Sequence, residues 1–255
     1  MTPDVCVVLG TFNRIGLLQK ALASFRRSCG RLNYEIVVVD GGSTDGSLEW
    51  LDEQPRVHVI RQSLPLTGAV AAFNLGFGYA VDIGARYVCI LNDDDEMIGP
   101  RYEIEMAYNR MERDAYVGAV AFETDLRGPW ECECWNGRPY CNKGVIRREA
   151  GMAAARAAGD PTGRAWWSRD HLTYASDTEL GLWIWRLGWT VEKGVGLRVH
   201  DNADAHVAHC DDLRKNNVKL YAESGTVKLF HQRWDDPNRI AYDEFDAIRY
   251  GGRVR

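Results

Sequence analysis

The chain has 255 residues, 45% of them hydrophobic and 26% charged, which suits one large domain or two small ones with a real core. A formal net charge of −5 gives no general basic field and argues against tight non-specific binding to nucleic acid. Seven cysteines are odd in number and scattered, with Cys6 and Cys89 inside apolar runs, so they argue against a disulfide framework and for reduced thiols.

The first hundred residues alternate strand and helix. Val5 to Leu9 is an apolar strand. From Arg14 to about Ser28 the apolar residues Leu17, Leu18, Ala21, Leu22 and Phe25 follow a helical period. Glu35 to Val39 is a second strand that stops at Asp40. The turn from Gly41 to Gly46 offers Ser, Thr or Asp to cap a helix beginning near Ser47. Val57 to Ile60 is a third strand. Gly68 to Val81 is a helix of small residues, and Tyr87 to Leu91 is a fourth strand. This β-α-β-α-β-α-β order predicts a parallel sheet with right-handed crossovers.

Pro100 suits the first turn of a further helix running to about Arg113. Tyr116 to Phe122 reads as strand. Residues Glu123 to Gly144 break into Trp, Cys, Gly and Pro, and read as irregular strands and loops. Arg147 to Ala158 reads as helix, and Gly159 to Gly163 breaks it. Asp177 to Leu187 is an amphipathic helix ending at Gly188. Trp189 to His200 reads as strand, and Asp211 to Glu223 as a candidate helix. The start of the chain lacks the charged and apolar stretches of a signal peptide, and no run approaches the ~20 apolar residues that span a bilayer. A cytoplasmic location is therefore expected, with a peripheral membrane contact left open.

The chemistry is concentrated at strand ends. The run from Tyr87 to Asp95 is a buried strand ending in one amide and three carboxylates. In open α/β sheets ligands bind at the carboxyl ends of strands, and adjacent acids there suit a divalent cation that in turn holds phosphate. A solvated turn is the plainer alternative. Thr11 and Asn13 follow the first strand, and Asp40 ends the second. Together these groups could line a nucleotide crevice, with Asp40 accepting from a base N–H or a ribose hydroxyl. Asp40 alone also suits a turn carboxylate before Gly-Gly-Ser. The segment Arg164 to His171 is rich in aromatic and basic groups. It reads either as an acceptor or lid loop, since sugars stack on indoles and Arg binds phosphate, or as core in which Trp166 and Trp167 fill space. The irregular spacing of Cys132, Cys134, Cys141 and Cys210 disfavours a zinc site.

Three blocks, Val8-Leu9-Gly10-Thr11-Phe12-Asn13-Arg14, Val37 to Asp45 (Val-Val-Val-Asp-Gly-Gly-Ser-Thr-Asp), and Leu91-Asn92-Asp93-Asp94, resemble family 2 glycosyltransferases of the GT-A fold. The resemblance continues through the Gly/Ala-rich helix with Asn74, where Phe73 stands in place of the usual Arg. It is looser beyond. There Gly144 to Arg148 resembles an acceptor-side segment, and Ser176-Asp177-Thr178-Glu179-Leu180 resembles the family's Glu-Asp-x-Asp-Leu helix, with Ser176 in place of Glu. Lys228 to Trp234 is similar to its C-terminal Lys-Trp segment.

The resemblance implies one α/β domain over residues 1–255, with a mostly parallel, Rossmann-like sheet flanked by helices and a smaller mixed part. A nucleotide-sugar half covers about 1–115, an acceptor half about 116–234, and a tail 235–255. It implies an inverting, metal-dependent transferase moving a sugar from a nucleotide-diphospho-sugar, expected to be a UDP-sugar, to a hydroxyl acceptor. Thr11, Asn13, Arg14, Asp40, Asn74, Asn92 and Asp93 would face the nucleotide. Asn92 replaces the usual first Asp of the Asp-x-Asp triplet. Asp94 would hold Mn²⁺ or Mg²⁺ with His200, for which His206 and His209 are alternatives, and Asp95 would lie behind them. Asp177 is the implied base, although an Asp at a helix start also suits a cap. Glu179 is the second choice of base. Trp166, Trp167, Arg169 and Glu179 are the candidate acceptor or lid residues. The acceptor itself (glycan, lipid carrier, protein or modified nucleic acid) and the oligomeric state are not legible.

Two other functions compete. A nucleotidyltransferase would carry a Gly-rich basic loop after the first strand, where this chain has one Gly and one Arg. A non-catalytic nucleotide-sugar or carbohydrate-binding protein of the same fold would bind without turnover.

Overall fold

The computed structural model describes residues 2–62, 68–99, 102–125, 130–135, 137–171, 175–202 and 226–234. Pro100, the helix expected over 211–223, His206, His209, Cys210 and the tail after Trp234 lie outside the described residues.

Strands β1 (Val5–Thr11), β2 (Tyr34–Asp40), β3 (Val57–Arg61) and β4 (Tyr87–Ile90) pair in parallel in the order β3-β2-β1-β4. Helices α1 (Ile15–Ser28), α2 (Ser47–Asp52) and α3 (Gly68–Asp82) connect them. The β1 side chains show why these runs are apolar throughout. Val5, Val7 and Leu9 enter one core layer, and Cys6 and Val8 enter the other. Helices α1, α2 and α4 (Glu103–Arg113) cover the first layer. The second lies under α3, α5 (Arg148–Ala157) and α6 (Ser176–Arg186). Strands buried on both faces lose the hydrophobic alternation of a half-exposed sheet. The small residues of α3 allow close approach, since a Cβ on Gly76 would stand 2.3 Å from Val8 Cγ1.

The N-cap position of α2 is Gly46, without a side-chain cap, and Asp45 just before it serves the helix start instead. Its Oδ1 accepts from the Ser47 N–H (3.1 Å), while its Oδ2 accepts from the Ile15 N–H (2.9 Å) at the start of α1. One carboxylate therefore serves two helix N-termini, where orphan donors concentrate.

The second half departs from the expectation. Gly144–Arg147, read as loop and helix start, is strand β9, and it runs antiparallel between β4 and β6 (Val117–Thr124). Val145 and Ile146 are fully buried, one in each core layer, which is why so short a segment holds the sheet centre. The acid run does not end in an open turn either. Asp95–Met97 forms edge strand β5, antiparallel to β10 (Thr190–Asp201), which in turn lies parallel to β6. Helix α4 begins at Glu103, behind Tyr102 at φ 75°. A small antiparallel pair, β7 (Cys134–Trp135) and β8 (Arg138–Pro139), stands apart. Helix α7 (Thr226–Trp234) packs Phe230 and Trp234 on Leu182 of α6. No helix among the described residues is long and apolar enough to cross a membrane.

Candidate active site

The chain order β3-β2-β1-β4 reverses direction at β1, so the crevice between the ends of β1 and β4 is the place where such sheets bind ligands. Thr11 ends β1, and its hydroxyl donates to Asp93 Oδ2 at 2.8 Å, just past β4. Arg14 Nη1 bridges Asp93 Oδ1 (2.9 Å) and Asp94 Oδ2 (3.0 Å). Burial, helped by the Asp94 charge and opposed by Arg14 and Thr11, pushes Asp93 up to about 6. Asn92 and Asp94 are half-buried and alternate with buried Asp93 and Asp95.

Asn13 sits at φ 53°, a conformation that Asn tolerates better than most residues. From there its Oδ1 accepts the Thr44 N–H at 2.6 Å, and its own N–H donates to Ser43 Oγ at 2.9 Å. The loops after β1 and β2 are thus stitched together. Asp40, opposite Thr11 in register, accepts N–H groups of Gly42 (2.7 Å) and Ser43 (3.0 Å) with Oδ2 alone. Its Oδ1 is buried and has no partner among the described residues. The turn role anticipated for Asp40 is therefore carried by Oδ2 alone. A buried acceptor left unmet costs about 1–3 kcal/mol, and a ligand N–H would relieve that cost.

The potential metal ligands are oxygens. Asp94, Asp95 and Asp201 bring carboxylate oxygens within 4.8 Å of one another, a hard donor set that fits Mn²⁺ or Mg²⁺. His200 is not among them. Strand alternation turns it away from Asp201, and its Nδ1 lies 2.5 Å from Asp125 Oδ2. Asp201, and not His200, is the β10 residue whose side chain stands near Asp94. The Asn202 N–H and side-chain amide both donate to the Asp94 carbonyl (2.9 and 3.1 Å), which ties the end of β10 to the acid turn.

Buried Lys143 was not anticipated. Its Nζ lies 2.5 Å from both Asp95 Oδ1 and Asp201 Oδ2. Two carboxylates at that distance hold the ammonium protonated, and its charge works against the burial that lifts Asp95 to about 7. The only local signal was a lysine directly before an apolar Gly-Val-Ile run.

Asp177 is the second residue of α6 and partly exposed. Its Oδ1 accepts the adjacent Thr178 N–H at 2.8 Å. Burial, then the charge of nearby Glu133, raises its pKa above 3.8, although the Thr178 N–H opposes the shift. Tyr140 and Cys141 both feel the Asp177 charge, while Lys143 touches the acid cluster. Three chain steps span at most ~11 Å, so the segment 140–143 runs from Tyr140, packed on Gly181 of α6, to the acid cluster.

The other anticipated residues have structural partners. Asn74 clamps the Trp167 backbone, donating from Nδ2 to its carbonyl (2.8 Å) and accepting its N–H (3.0 Å). Trp166 and Trp167 are buried against Phe77 and Phe73 of α3, at ring separations of 5.0 and 4.3 Å. Arg169 is exposed and lines a cleft of about 830 Å³ with Asn74, Arg164 and His171.

Glu179 is fully buried and accepts from Arg233 Nη1 (3.0 Å) and Trp234 Nε1 (3.2 Å) of α7, with His171 Nε2 at 2.5 Å. It anchors α7. Burial raises its pKa, but the His171 hydrogen bond and the His171 and Arg233 charges outweigh this and leave it below 4.5. A depressed folded pKa contributes stability that is present above 4.5 and lost as the pH falls through the folded value. Glu179→Gln should therefore melt about 4–8 °C below wild type near pH 7, for an assumed loss of about 2 kcal/mol. Thermal melts across pH should show that gap closing toward acid.

This is the fold and strand-end geometry of a GT-A glycosyltransferase domain. The sequence pattern of Glycosyl transferase family 2 matches residues 6–133, and the chain belongs to that family. Among solved structures, a mannosyltransferase from Pyrobaculum calidifontis (PcManGT, in complex with GDP-Man and Mn²⁺) aligns with a TM-score of 0.60. The alignment has 17% identity over 97% of this chain and 76% of that one. Staphylococcus aureus TarS aligns with a TM-score of 0.51 and 14% identity, over 71% of this chain and 33% of that one. These likenesses are of fold. The uncharacterized protein y4gI of Sinorhizobium fredii is 30% identical over 115 residues. That match spans 41% of this chain but 12% of the length of y4gI.

Proposed function

We propose that the chain is an inverting, metal-dependent glycosyltransferase that takes its sugar from a UDP-sugar. The observation that carries this reading is the buried Oδ1 of Asp40, unpartnered among the described residues, at the end of β2 beside Thr11 of β1. One free oxygen matches the single ring N–H of uracil, whereas guanine offers a ring N–H and an amine together. Thr11 and Asn13 border the crevice between β1 and β4. Metal dependence draws on the oxygen donor set around Asp94 and on the Mn²⁺ bound to PcManGT.

The residues divide the work. Asp177 accepts the proton of the acceptor hydroxyl as that oxygen bonds to the anomeric carbon and the bond to the diphosphate oxygen breaks. One displacement by one base inverts the anomeric centre without a covalent intermediate. A divalent cation held by Asp94 and the diphosphate would supply positive charge to the leaving group. Arg14 holds Asp93 and Asp94 in place for that contact. The cleft beside Arg169 is the proposed approach for the acceptor.

A thermal-shift screen of UDP, GDP, dTDP and their sugars, with and without Mn²⁺ or Mg²⁺, tests the donor. A ligand at 100 times its Kd stabilises by about 2.7 kcal/mol, a rise of roughly 5–10 °C. UDP or a UDP-sugar with metal should give the largest rise, and Asp40→Ala should remove it. No response to any nucleotide diphosphate would end the proposal.

A further inference from the structure

Asp95 and Asp201 are direct partners in the antiparallel pairing of β5 with β10. Like charges directly opposite on a sheet repel, and two buried carboxylates need a cation between them. Lys143 is that cation. It comes from the lead-in to β9, is 2% exposed, and reaches one oxygen of each. Asp94, the third carboxylate of the cluster, is half-buried, and its Oδ2 accepts from Arg14 Nη1 at 3.0 Å.

We infer that Lys143 is a resident counter-ion that closes Asp95 and Asp201 to a divalent cation and leaves Asp94, through the oxygen that Arg14 does not hold, as the one carboxylate of the trio to meet it. The inference rests on the reading of Asp94 as the metal-facing residue. It has a specific consequence: Mn²⁺ binds the free protein weakly, through a single carboxylate, and binds firmly only when diphosphate oxygens arrive as further ligands. Metal and donor then enter as a unit. Lys143 is a positioning residue in this scheme, since it touches neither donor nor acceptor.

Loss of the free Mn²⁺ paramagnetic resonance signal measures the affinity of the full chain without nucleotide. Lys143→Met should bind Mn²⁺ at least ~10-fold more tightly than wild type, because it frees two oxygens and removes a positive charge; ~10-fold equals about 1.4 kcal/mol. Lys143→Arg keeps the charge and should stay within about twofold of wild type. Equal affinity in Lys143→Met and wild type overturns the inference.

Should Lys143→Met fail to fold by circular dichroism, Asp201→Asn with UDP present provides the second arm. Its Mn²⁺ affinity should stay within about twofold of wild type, whereas a loss of ~10-fold makes Asp201 a ligand and overturns the inference. The nucleotide-free arm does not depend on UDP. A wild type that ignores UDP while Lys143→Met gains affinity sinks the donor assignment and leaves the counter-ion in place.

Discussion

Asp177→Asn should lower the rate of sugar transfer about 10³-fold while the affinity for UDP with metal stays within about twofold. A positioned base contributes roughly 10²–10⁴ in rate, and an amide cannot take the proton. The substitution is close to isosteric, and its oxygen can still accept the Thr178 N–H. The residue in the N-cap position of α6 is Ala175, so Asp177 is not closing the helix in the usual way, and the melting temperature should move by less than about 2 °C. A large fall in melting temperature with retained transfer would return Asp177 to a structural role. The pH dependence has a definite sign. Burial and Glu133 raise the Asp177 pKa above 3.8, so the rate should fall as the pH drops through that raised value and the base becomes protonated.

What could be read before the structure was what is local. The β1, β2 and β4 runs, the helical period of α1 and the small-residue face of α3 each announce themselves within a dozen residues. Asp40, Thr11 and the acid run were visible because each ends such a strand.

What could not be read depends on partners far along the chain. Lys143 before an apolar run looks like a solvated strand end. Its meaning comes from Asp95 and Asp201, 48 and 58 positions away. His200 and Asp201 stand side by side, and only the pairing of β10 with β5 decides which meets Asp94. Trp166 and Trp167 had even claims as sugar platform or core until Phe73 and Phe77 were found against them. Glu179 reads as a second base two residues from Asp177, and α7 turns it into an anchor.

Gly144→Ala should be strongly damaging, costing about 3 kcal/mol or more and lowering the melting temperature by roughly 6–12 °C. Gly144 adopts φ 149°, which L side chains rarely take, and an added Cβ would stand 2.2 Å from the Val120 carbonyl oxygen and 2.7 Å from Cys141 Sγ. The obstacle is backbone rather than a yielding side-chain tip. Val120 cannot retreat, because β6 is paired on one side with β9 and on the other with β10. Gly144 itself is paired with Ile90 and Ala121, so any shift pulls on both neighbours. A calibrating variant is Gly188→Ala, where φ is 90° and, among the described residues, nothing lies within 4 Å of the new Cβ. That change carries backbone strain alone, about 1–2 kcal/mol or roughly 2–8 °C. Calorimetric melts of the two variants separate steric exclusion from conformational strain. Equal losses would mean that β9 is not wedged between β4 and β6 as described, and with it would go the placement of Lys143 one residue before.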